Sequence, residues 1–406
     1  MKTPVLYLTR NGLLEPLGQS QVFSYLRGLS DYYNISLITY ERPEDWADSA
    51  AMSRARDMCS AHGIRWLPQQ FRLRPRVVAP AASMFRMAWL VRREVRQRQI
   101  RLIHARSYIP ATVALVVGRL TGVPFIFDMR ALWPEEMITA HRLRRGSFIH
   151  RAIVMAERAC LRQAGAVVSL THAAVEHLSQ IYARDLAKQK VVVIPTCVDL
   201  DRFQPSVRPR ERQVIGCLGS VLSGWFRIDL LTAFLTVAAQ RQPELEFAIT
   251  TRDDPERVRE QMSGGDFLDR RTSIGSSPFD KVHEVLQEQV ASVMFYAGGE
   301  VSELGRSPTR MAEILGCGLP VVANEGVGDV ARIIHEYRVG VIATGAEPQQ
   351  MQATWDDLQA LMADPNLAAR CRQAAEEIFS LETGTASYAC LYRDVIDATA
   401  SLRNKK

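Results

Sequence analysis

The sequence lacks several features that would assign it to a well-known class of protein. It has no uninterrupted run of 18 apolar residues, so no membrane-spanning helix is predicted. The apolar segment near its N-terminus is too short for a signal peptide and is more typical of a first β-strand. Its seven cysteines are an odd number without a Cys-x-x-Cys pair, which argues against a disulfide framework or a structural zinc site. We therefore expect a protein of a reducing compartment, the cytoplasm.

Three binding motifs are also missing. Without a Gly-x-Gly-x-x-Gly sequence, the chain gives no sign of a dinucleotide site. A clear metal-binding motif is also absent: the adjacent Asp253 and Asp254 follow Arg252 in a polar turn, which is a weak metal signal. No nucleic-acid-binding module accompanies the net charge of +6. We expect neither a metal, nor a cofactor, nor a nucleic-acid partner.

What the sequence does contain is a repeated alternation of strands and helices. The 406 residues suffice for two domains of about 200 residues each. Apolar runs predict buried parallel strands in both halves, separated by helical segments, so the predicted fold class is α/β with two Rossmann-like domains. The clearest runs are Val5–Thr9, Ile35–Tyr40, Leu102–Arg106, Val123–Asp128, Val214–Leu218, Phe247–Thr250 and Ala291–Tyr296.

The strands of the first half end in polar residues, at the edge where open α/β sheets bind ligands. His104 and Arg106 end one strand, and Asp128 ends the next. Arg130 and Trp133 follow in the loop. These are candidate ligand-binding groups, although His104 is equally well explained as a strand-end histidine with its hydrogen bonds satisfied, and Asp128 as a residue that only caps a turn.

In the second half, one stretch combines the features of a nucleotide site. Ser307, Pro308 and Thr309 precede a short helix whose first turn carries Arg310, with Glu313 one turn further on the same face. A helix N-terminus with a guanidinium suits phosphate, and a carboxylate beside it suits the vicinal hydroxyls of a ribose. A second glycine-bearing loop, Gly219-Ser220, leads through Trp225 and Arg227 into another helix.

The stretch Ser307–Gly328 resembles the donor-site signature of the retaining glycosyltransferases of family 4, which have the GT-B fold. Ile194–Phe203 resembles that family's hinge between domains. The resemblance implies an N-terminal acceptor domain (residues 1–197), a C-terminal donor domain (198–384) facing it across a cleft, and a last helix (385–406) packed back on the first domain. It also implies sugar transfer, with retention, from a UDP- or GDP-type nucleotide sugar to a glycan or lipid-linked acceptor in cell-envelope synthesis.

The resemblance assigns roles to individual residues. Arg310, Glu313, Asp128 and Arg130 would be catalytic. The acceptor would meet Gln19, His104, Arg106, Arg130 and Trp133. The donor would meet Gly18, Gly219, Ser220, Trp225, Arg227, Thr251, Arg252, Ser276, Pro278, Ser307, Thr309, Arg310 and Glu313.

The chain departs from the family's pattern in the donor signature. The first glutamate of the family's Glu-x7-Glu motif falls at Gly305. Glu300 and Glu303 lie near enough in sequence to replace it. Gly305 keeps open a degenerate transferase that only binds a partner, and a GT-B nucleotide-sugar epimerase is a further alternative.

Residues 72–101 contain nine arginines and one acid, Glu94. Apolar residues such as Phe85 and Trp89 alternate with these arginines. One interpretation is a segment lying on the anionic inner face of the cell membrane. The alternative is a crossover helix that packs its apolar side on the sheet and exposes its arginines to water.

Overall fold

A computed structural model of the chain describes residues 2–71, 79–207, 212–262, 268 and 270–404. The chain folds into two compact units. Unit 1 comprises residues 1–195 and 381–406, and unit 2 comprises residues 196–380. The chain therefore leaves unit 1 once, completes unit 2, and returns. Residues 72–78 of the arginine-rich segment, residues 208–211, 263–267 and 269, and the terminal residues 1, 405 and 406 lie outside the described residues.

Unit 1 is built on a seven-stranded parallel sheet with the order β3-β2-β1-β4-β5-β6-β7. Its central strands are buried on both faces, as expected for apolar runs covered by helices on two sides. The strands are β1 (Thr3–Leu8), β2 (Tyr33–Glu41), β3 (Arg65–Gln70), β4 (Leu102–Arg106), β5 (Phe125–Asp128), β6 (Ala166–Ser169) and β7 (Val191–Val193).

The helices of unit 1 cover both faces of this sheet. A π-helical turn, Gln19–Phe23, joins the first two helices. The helices are α1 (Pro16–Gly18), α2 (Ser24–Leu29), α3 (Pro43–Ala47), α4 (Ser49–Ala61), α5 (Ala79–Arg98), α6 (Tyr108–Thr121), α7 (Trp133–Thr139), α8 (Phe148–Gln163), α9 (His172–Ile181), α10 (Ala183–Leu186) and, from the end of the chain, α18 (Leu381–Asn404).

Unit 2 repeats the plan with a six-stranded parallel sheet of order β10-β9-β8-β11-β12-β13. Its strands are β8 (Val214–Leu218), β9 (Glu246–Thr250), β10 (Thr272–Gly275), β11 (Ala291–Met294), β12 (Val321–Asn324) and β13 (Gly340–Ala343). Its helices are α11 (Ile228–Arg241), α12 (Pro255–Met262), α13 (Val282–Gln287), α14 (Thr309–Gly316), α15 (Val330–Tyr337), α16 (Pro348–Met362) and α17 (Leu367–Phe379). Short 3-10 turns occur at Phe279–Lys281 and Val301–Gly305.

The predicted α/β class with two Rossmann-like sheets is confirmed. Neither β13 nor α15 was predicted from the sequence. Within the described residues, no helix is both long enough and apolar enough to cross a membrane.

Candidate functional site

The centre of the candidate site in unit 2 is a contact between Arg310 and Gly219. Gly219 follows β8 with φ of 97°, a conformation that glycine adopts without strain. The guanidinium of Arg310 lies directly against its Cα: a Cβ at this position would be 2.5 Å from Nε of Arg310 and nearer still to Cζ and Nη2. Two residues that are far apart in sequence thus meet through a contact that only glycine permits.

Arg310 keeps an unused donor. Its Nη1 is buried and has no hydrogen-bond partner in the part of the chain that the structure describes. The guanidinium also lies over the ring of Tyr296, 5.7 Å from the centroid. A buried charged donor without a partner is costly, which favours a site that an anionic ligand completes.

Glu313 lies one turn further along α14 and is 9% exposed. Burial raises the pKa of its carboxyl to about 7, against the opposing effects of Arg310 and Arg202. A carboxyl in this state can both donate and accept hydrogen bonds near neutral pH, as vicinal hydroxyls require. The predicted proximity of Arg310 and Glu313 is therefore what the structure shows.

The loop after Gly219 is held by a residue that the sequence analysis set aside. Asp253, which follows β9, accepts hydrogen bonds from the Ser220 hydroxyl and from the amides of Val221 (2.7 Å) and Leu222 (3.0 Å). Burial alone would raise the pKa of Asp253, but these hydrogen bonds lower it. The amide of Gly219 is also occupied, because it donates to the Thr250 carbonyl. The Gly219 amide is thus engaged within unit 2, and phosphate binding by the Gly219-Ser220 loop stays a prediction that falls to the Ser220 amide.

Trp225 contacts a second arginine of unit 2, Arg306. The guanidinium of Arg306 lies 4.9 Å from the Trp225 ring and 5.8 Å from the Tyr296 ring. Arg306 also forms an ion pair with the buried Glu303. Glu303 is therefore engaged within the protein, and only the exposed Glu300 remains as an open substitute for the glutamate missing at Gly305.

Other predicted donor residues have different partners or lie apart. Arg227 pairs with Asp229 on its own helix rather than presenting a free cation. Ser307 does not cap α14, because its hydroxyl accepts a hydrogen bond from the Thr196 amide and Pro308 is the N-cap residue. Thr251 accepts from the Asp253 amide, and Thr309 is half-buried in the first turn of α14. Exposed loops carry the remaining three: Arg252, Ser276 and Pro278.

In unit 1, the predicted residues gather around Asp128, which has no exposed surface. Its carboxylate is 3.1 Å from Nε2 of His104, and 3.8 Å from guanidinium nitrogens of both Arg106 and Arg130. Burial alone would raise the pKa of Asp128, but Arg130, His104 and Arg106 lower it to about 2. With no exposed surface, the Asp128 carboxylate is closed to a ligand hydroxyl in this structure, and its predicted catalytic role stays a prediction.

Two tyrosines of α18 complete the cluster. Tyr388 donates to Asp128 (3.2 Å), and Tyr392 lies 2.7 Å from Nδ1 of His104. Burial lowers the pKa of His104 and so favours the neutral ring, against the opposing effect of Asp128. An ionised carboxylate only accepts, so Nε2 carries the proton and Nδ1 accepts from Tyr392. His104 is thus a satisfied, buried histidine, which is the alternative interpretation of this residue.

Arg130 differs from its neighbours in two ways. Its backbone has φ of 62°, an uncommon conformation for a residue with a side chain, and such strain is concentrated at functional sites. Its Nε and Nη1 are buried and make no hydrogen bond within the described residues, while Nη2 donates to Gln21 (3.4 Å). Trp133, at the start of α7, is half-buried against Tyr108. Arg130 is therefore the residue of unit 1 best prepared to meet an anion.

Gly18 and Gln19 stabilise the first loop from within. A Cβ on Gly18 would collide with the Gly12 carbonyl and lie 2.8 Å from Cα of Leu13, and its φ of −61° is ordinary. The side chain of Gln19 donates to the Leu13 carbonyl (2.6 Å). Glu41, which the sequence analysis missed, accepts from the Leu13 amide (2.9 Å) with no exposed surface. Gly18 is thus needed for internal packing, and its predicted contact with the donor stays a prediction.

Among the described residues, no group of three or more histidine, cysteine or acidic side chains is placed to hold a metal ion. Metal independence stays a prediction.

Comparison with known proteins gives a consistent result. Residues 20–202 match the family model described as Glycosyltransferase Family 4. The D-inositol 3-phosphate glycosyltransferase of Arthrobacter sp. (strain FB24) is 25% identical over 294 residues, which are 67% of this chain and 65% of that protein. The chain thus spans slightly less than two thirds of that relative's length.

Two solved structures share the fold over nearly the whole chain. Sucrose-phosphate synthase from Thermosynechococcus elongatus has a TM-score of 0.68 at 15% identity, covering 98% of this chain and 100% of that one. HepE from Anabaena, solved with UDP-glucose, has a TM-score of 0.62 at 16% identity, covering 98% and 99%. The predicted GT-B fold is confirmed.

Proposed function

We propose that the chain is a glycosyltransferase of family 4, which transfers a sugar from a nucleoside diphosphate sugar to a hydroxyl group of a glycan or lipid-linked acceptor. The observation that carries this proposal is the Arg310 guanidinium, seated on Gly219 with one buried donor unused and Glu313 one turn away. Unit 2 is the donor-binding part, with Arg310 facing the diphosphate and Glu313 the ribose.

The chemistry needs positive charge where the leaving group develops negative charge. The bond between the sugar C1 and the phosphate oxygen breaks, and its electron pair stays on the diphosphate. The acceptor oxygen bonds to C1 on the same face, so the configuration is retained, and its proton passes to the departing phosphate oxygen. Arg310 stabilises the extra charge on the diphosphate, a contribution typically worth several kcal/mol.

The acceptor is assigned to unit 1 through Arg130. Its Nε and Nη1 make no hydrogen bond within the described residues and suit an anionic group on the acceptor, and Trp133 offers an aromatic surface for a sugar ring. Asp128 acts as a positioning residue, because it is buried and its charge holds Arg130 and Arg106 in place. We place the protein in cell-envelope polysaccharide synthesis, acting without a metal.

The first experiment identifies the donor. UDP-, GDP- and other nucleotide sugars are compared by thermal shift, because a bound ligand raises the melting temperature. A UDP-sugar is the first choice, since HepE was solved with UDP-glucose. Failure of every nucleotide sugar to stabilise the protein would contradict the assignment of unit 2.

The second experiment tests the site. Arg310→Ala and Glu313→Ala should each lower kcat/KM by about 10²-fold, the effect of losing one such group. Arg332→Ala is the matched control, because Arg332 is an exposed arginine of unit 2 that pairs with Asp329 and Glu336. Near-normal turnover in the Arg310 or Glu313 variant would remove it from the site.

A degenerate transferase is the second candidate, favoured by Gly305 and by the engagement of Glu303 with Arg306. It predicts nucleotide binding without either hydrolysis or transfer. An epimerase would instead convert the nucleotide sugar with no acceptor present. An acceptor-free assay with product analysis separates all three.

A further inference from the structure

Few large apolar side chains are exposed on the described residues, and most of these lie on three helices of unit 1. Phe85 (76% exposed) and Trp89 (56%) are on α5, and Leu120 (64%) is on α6. Phe148 (87%), Ile149 (64%) and Met155 (65%) are on α8. Exposed apolar side chains are common singly, but a group on neighbouring helices indicates a binding surface.

These three helices form one side of unit 1. The chain moves one way across the sheet from β1 to β3, and the other way from β3 to β7. Right-handed crossovers therefore place α5, α6 and α8 together, on the side opposite α2 and α4. In the structure α5 packs against α6, and α6 packs against α8. We call the outward surface of α5, α6 and α8 the basic–apolar face.

The inner side of α5 behaves as the crossover helix that was the alternative interpretation of this segment. Met87, Leu90 and Val91 are buried. Phe85 and Trp89 point outward on the same helix. Packing on the sheet therefore uses only half of the helix and leaves the other half without a partner.

The charge on the basic–apolar face has one sign. The three helices carry nine arginines and two acidic residues, Glu94 and Glu157, and both acids are buried. Arg158 and Arg162 pair with Asp185 of α10, so part of the positive charge is neutralised. The guanidinium of Arg93 lies 5.0 Å from the Trp89 ring. The surface thus combines exposed aromatics with arginines and no exposed carboxylate of its own.

We propose that unit 1 binds the surface of an anionic lipid bilayer through the basic–apolar face. Arginines meet lipid phosphates, and Phe85, Trp89, Phe148 and Ile149 enter the headgroup region, where aromatic and aliphatic side chains are stable beside cations. Nucleic acid is a poorer fit, because exposed aliphatic and aromatic side chains lie among the arginines and form no hydrogen bonds with phosphates or base edges. The inference extends the expected membrane segment to α6 and α8, and it does not depend on the proposed transferase activity.

The experiment is vesicle flotation of the full chain, without donor or acceptor. Vesicles of phosphatidylcholine alone are compared with vesicles containing 30% phosphatidylglycerol (about one third anionic lipid). We expect binding to the anionic vesicles only, weakening as salt shortens the range of the charges. The variant Arg92→Gln/Arg96→Gln/Arg98→Gln should bind roughly 100-fold more weakly, since each arginine near the surface contributes about five-fold.

A second variant, Phe148→Ser/Ile149→Ser, tests α8, which the sequence alone did not implicate. It should lower the partition coefficient on anionic vesicles by about ten-fold or more. The matched controls lie on the opposite side: Arg54→Gln/Arg56→Gln on α4, and Tyr32→Ser just after α2. Circular dichroism and melting curves confirm that all variants are folded.

Wild-type protein that stays unbound, or variants of the face that bind as well as the controls, would overturn the proposal. Equal binding to neutral vesicles would overturn the role of the arginines. Capture by RNA or by an acidic protein, with vesicles left unbound, would assign the face to that partner and exclude the bilayer.

Discussion

Gly219→Ala tests whether the site in unit 2 depends on the contact between Gly219 and Arg310. The new Cβ would lie 2.5 Å from Nε of Arg310 and closer to the rest of the guanidinium. Ordinary contacts of this kind are about 3.5 Å long, so the guanidinium must move by about 1 Å or more. Because the obstructing atoms are the end of a flexible side chain, Arg310 should move while the sheet stays in place.

The size of the effect follows from that displacement. A charged group misplaced by about 1 Å can lower the rate about 10²-fold, which is also the expected effect of Arg310→Ala. The φ of 97° adds strain of about 1–2 kcal/mol for a residue with a side chain. For a unit of this size, that strain lowers the melting temperature by roughly 2–8 °C. At 25 °C the variant should remain folded but nearly inactive.

The assay is kcat/KM with the nucleotide sugar found by thermal shift, measured in a double-mutant cycle. If Gly219→Ala acts by displacing Arg310, it should have little further effect in an Arg310→Ala background. Gly224→Ala is the matched control in the same loop, because a Cβ there has no heavy atom within 4 Å.

Two results would refute the reasoning. Normal turnover in Gly219→Ala would mean that the position of the Arg310 guanidinium does not matter. Full additivity with Arg310→Ala would mean that the glycine acts by another route.

Three other variants test the surroundings of the two sites. Glu313→Gln should remove a pH dependence of folding stability, because burial raises the pKa of Glu313 from 4.5 to about 7. The wild type should therefore lose stability relative to the variant as the pH rises through this interval. Melting temperatures that change with pH in the same way for both proteins would contradict this. Asp253→Ala should lower the free energy of unfolding, measured in urea, by about 1–3 kcal/mol, and it should weaken nucleotide binding, because the loop loses its hydrogen-bond acceptor. The control Asp254→Ala should leave nucleotide affinity unchanged. Asp128→Asn should lower the free energy of unfolding by about 3–5 kcal/mol and increase hydrogen exchange in α18. Tyr388→Phe should lower the free energy of unfolding by only about 1 kcal/mol. Equal losses in the two variants would show that the charge of Asp128 is unimportant. The stability that Asp128 supplies should be present above pH 3.8 and disappear as the pH falls towards 2.

The sequence predicted the elements that have a local pattern. Leu102–Arg106 and Val214–Leu218 were placed to the residue, because continuous apolar runs mark strands that are buried on both faces. Arg310 and Glu313 were placed on one helix because their spacing alone puts them on one face.

The contacts that the sequence did not reveal join distant parts of the chain. Asp253 reaches the loop after β8, and Tyr388 reaches Asp128 from 260 positions away. A buried polar side chain that stabilises a loop has no periodic signature, because its partner is set by the packing of the whole unit. Ser307 shows the same limit. Its hydroxyl is of the kind that caps a helix, but it accepts a hydrogen bond from the amide of Thr196, 111 positions away.

The return of the chain to unit 1 has a consequence for biosynthesis. Residues 196–380 emerge from the ribosome before α18, so unit 2 can finish folding while unit 1 still waits for its last helix. Until then His104 and Asp128 lack their partners Tyr392 and Tyr388. The ends of β4 and β5, which are buried in the complete unit, are exposed to water. A premature stop codon shortly before Leu381 would therefore leave unit 2 complete and deprive unit 1 of its last helix.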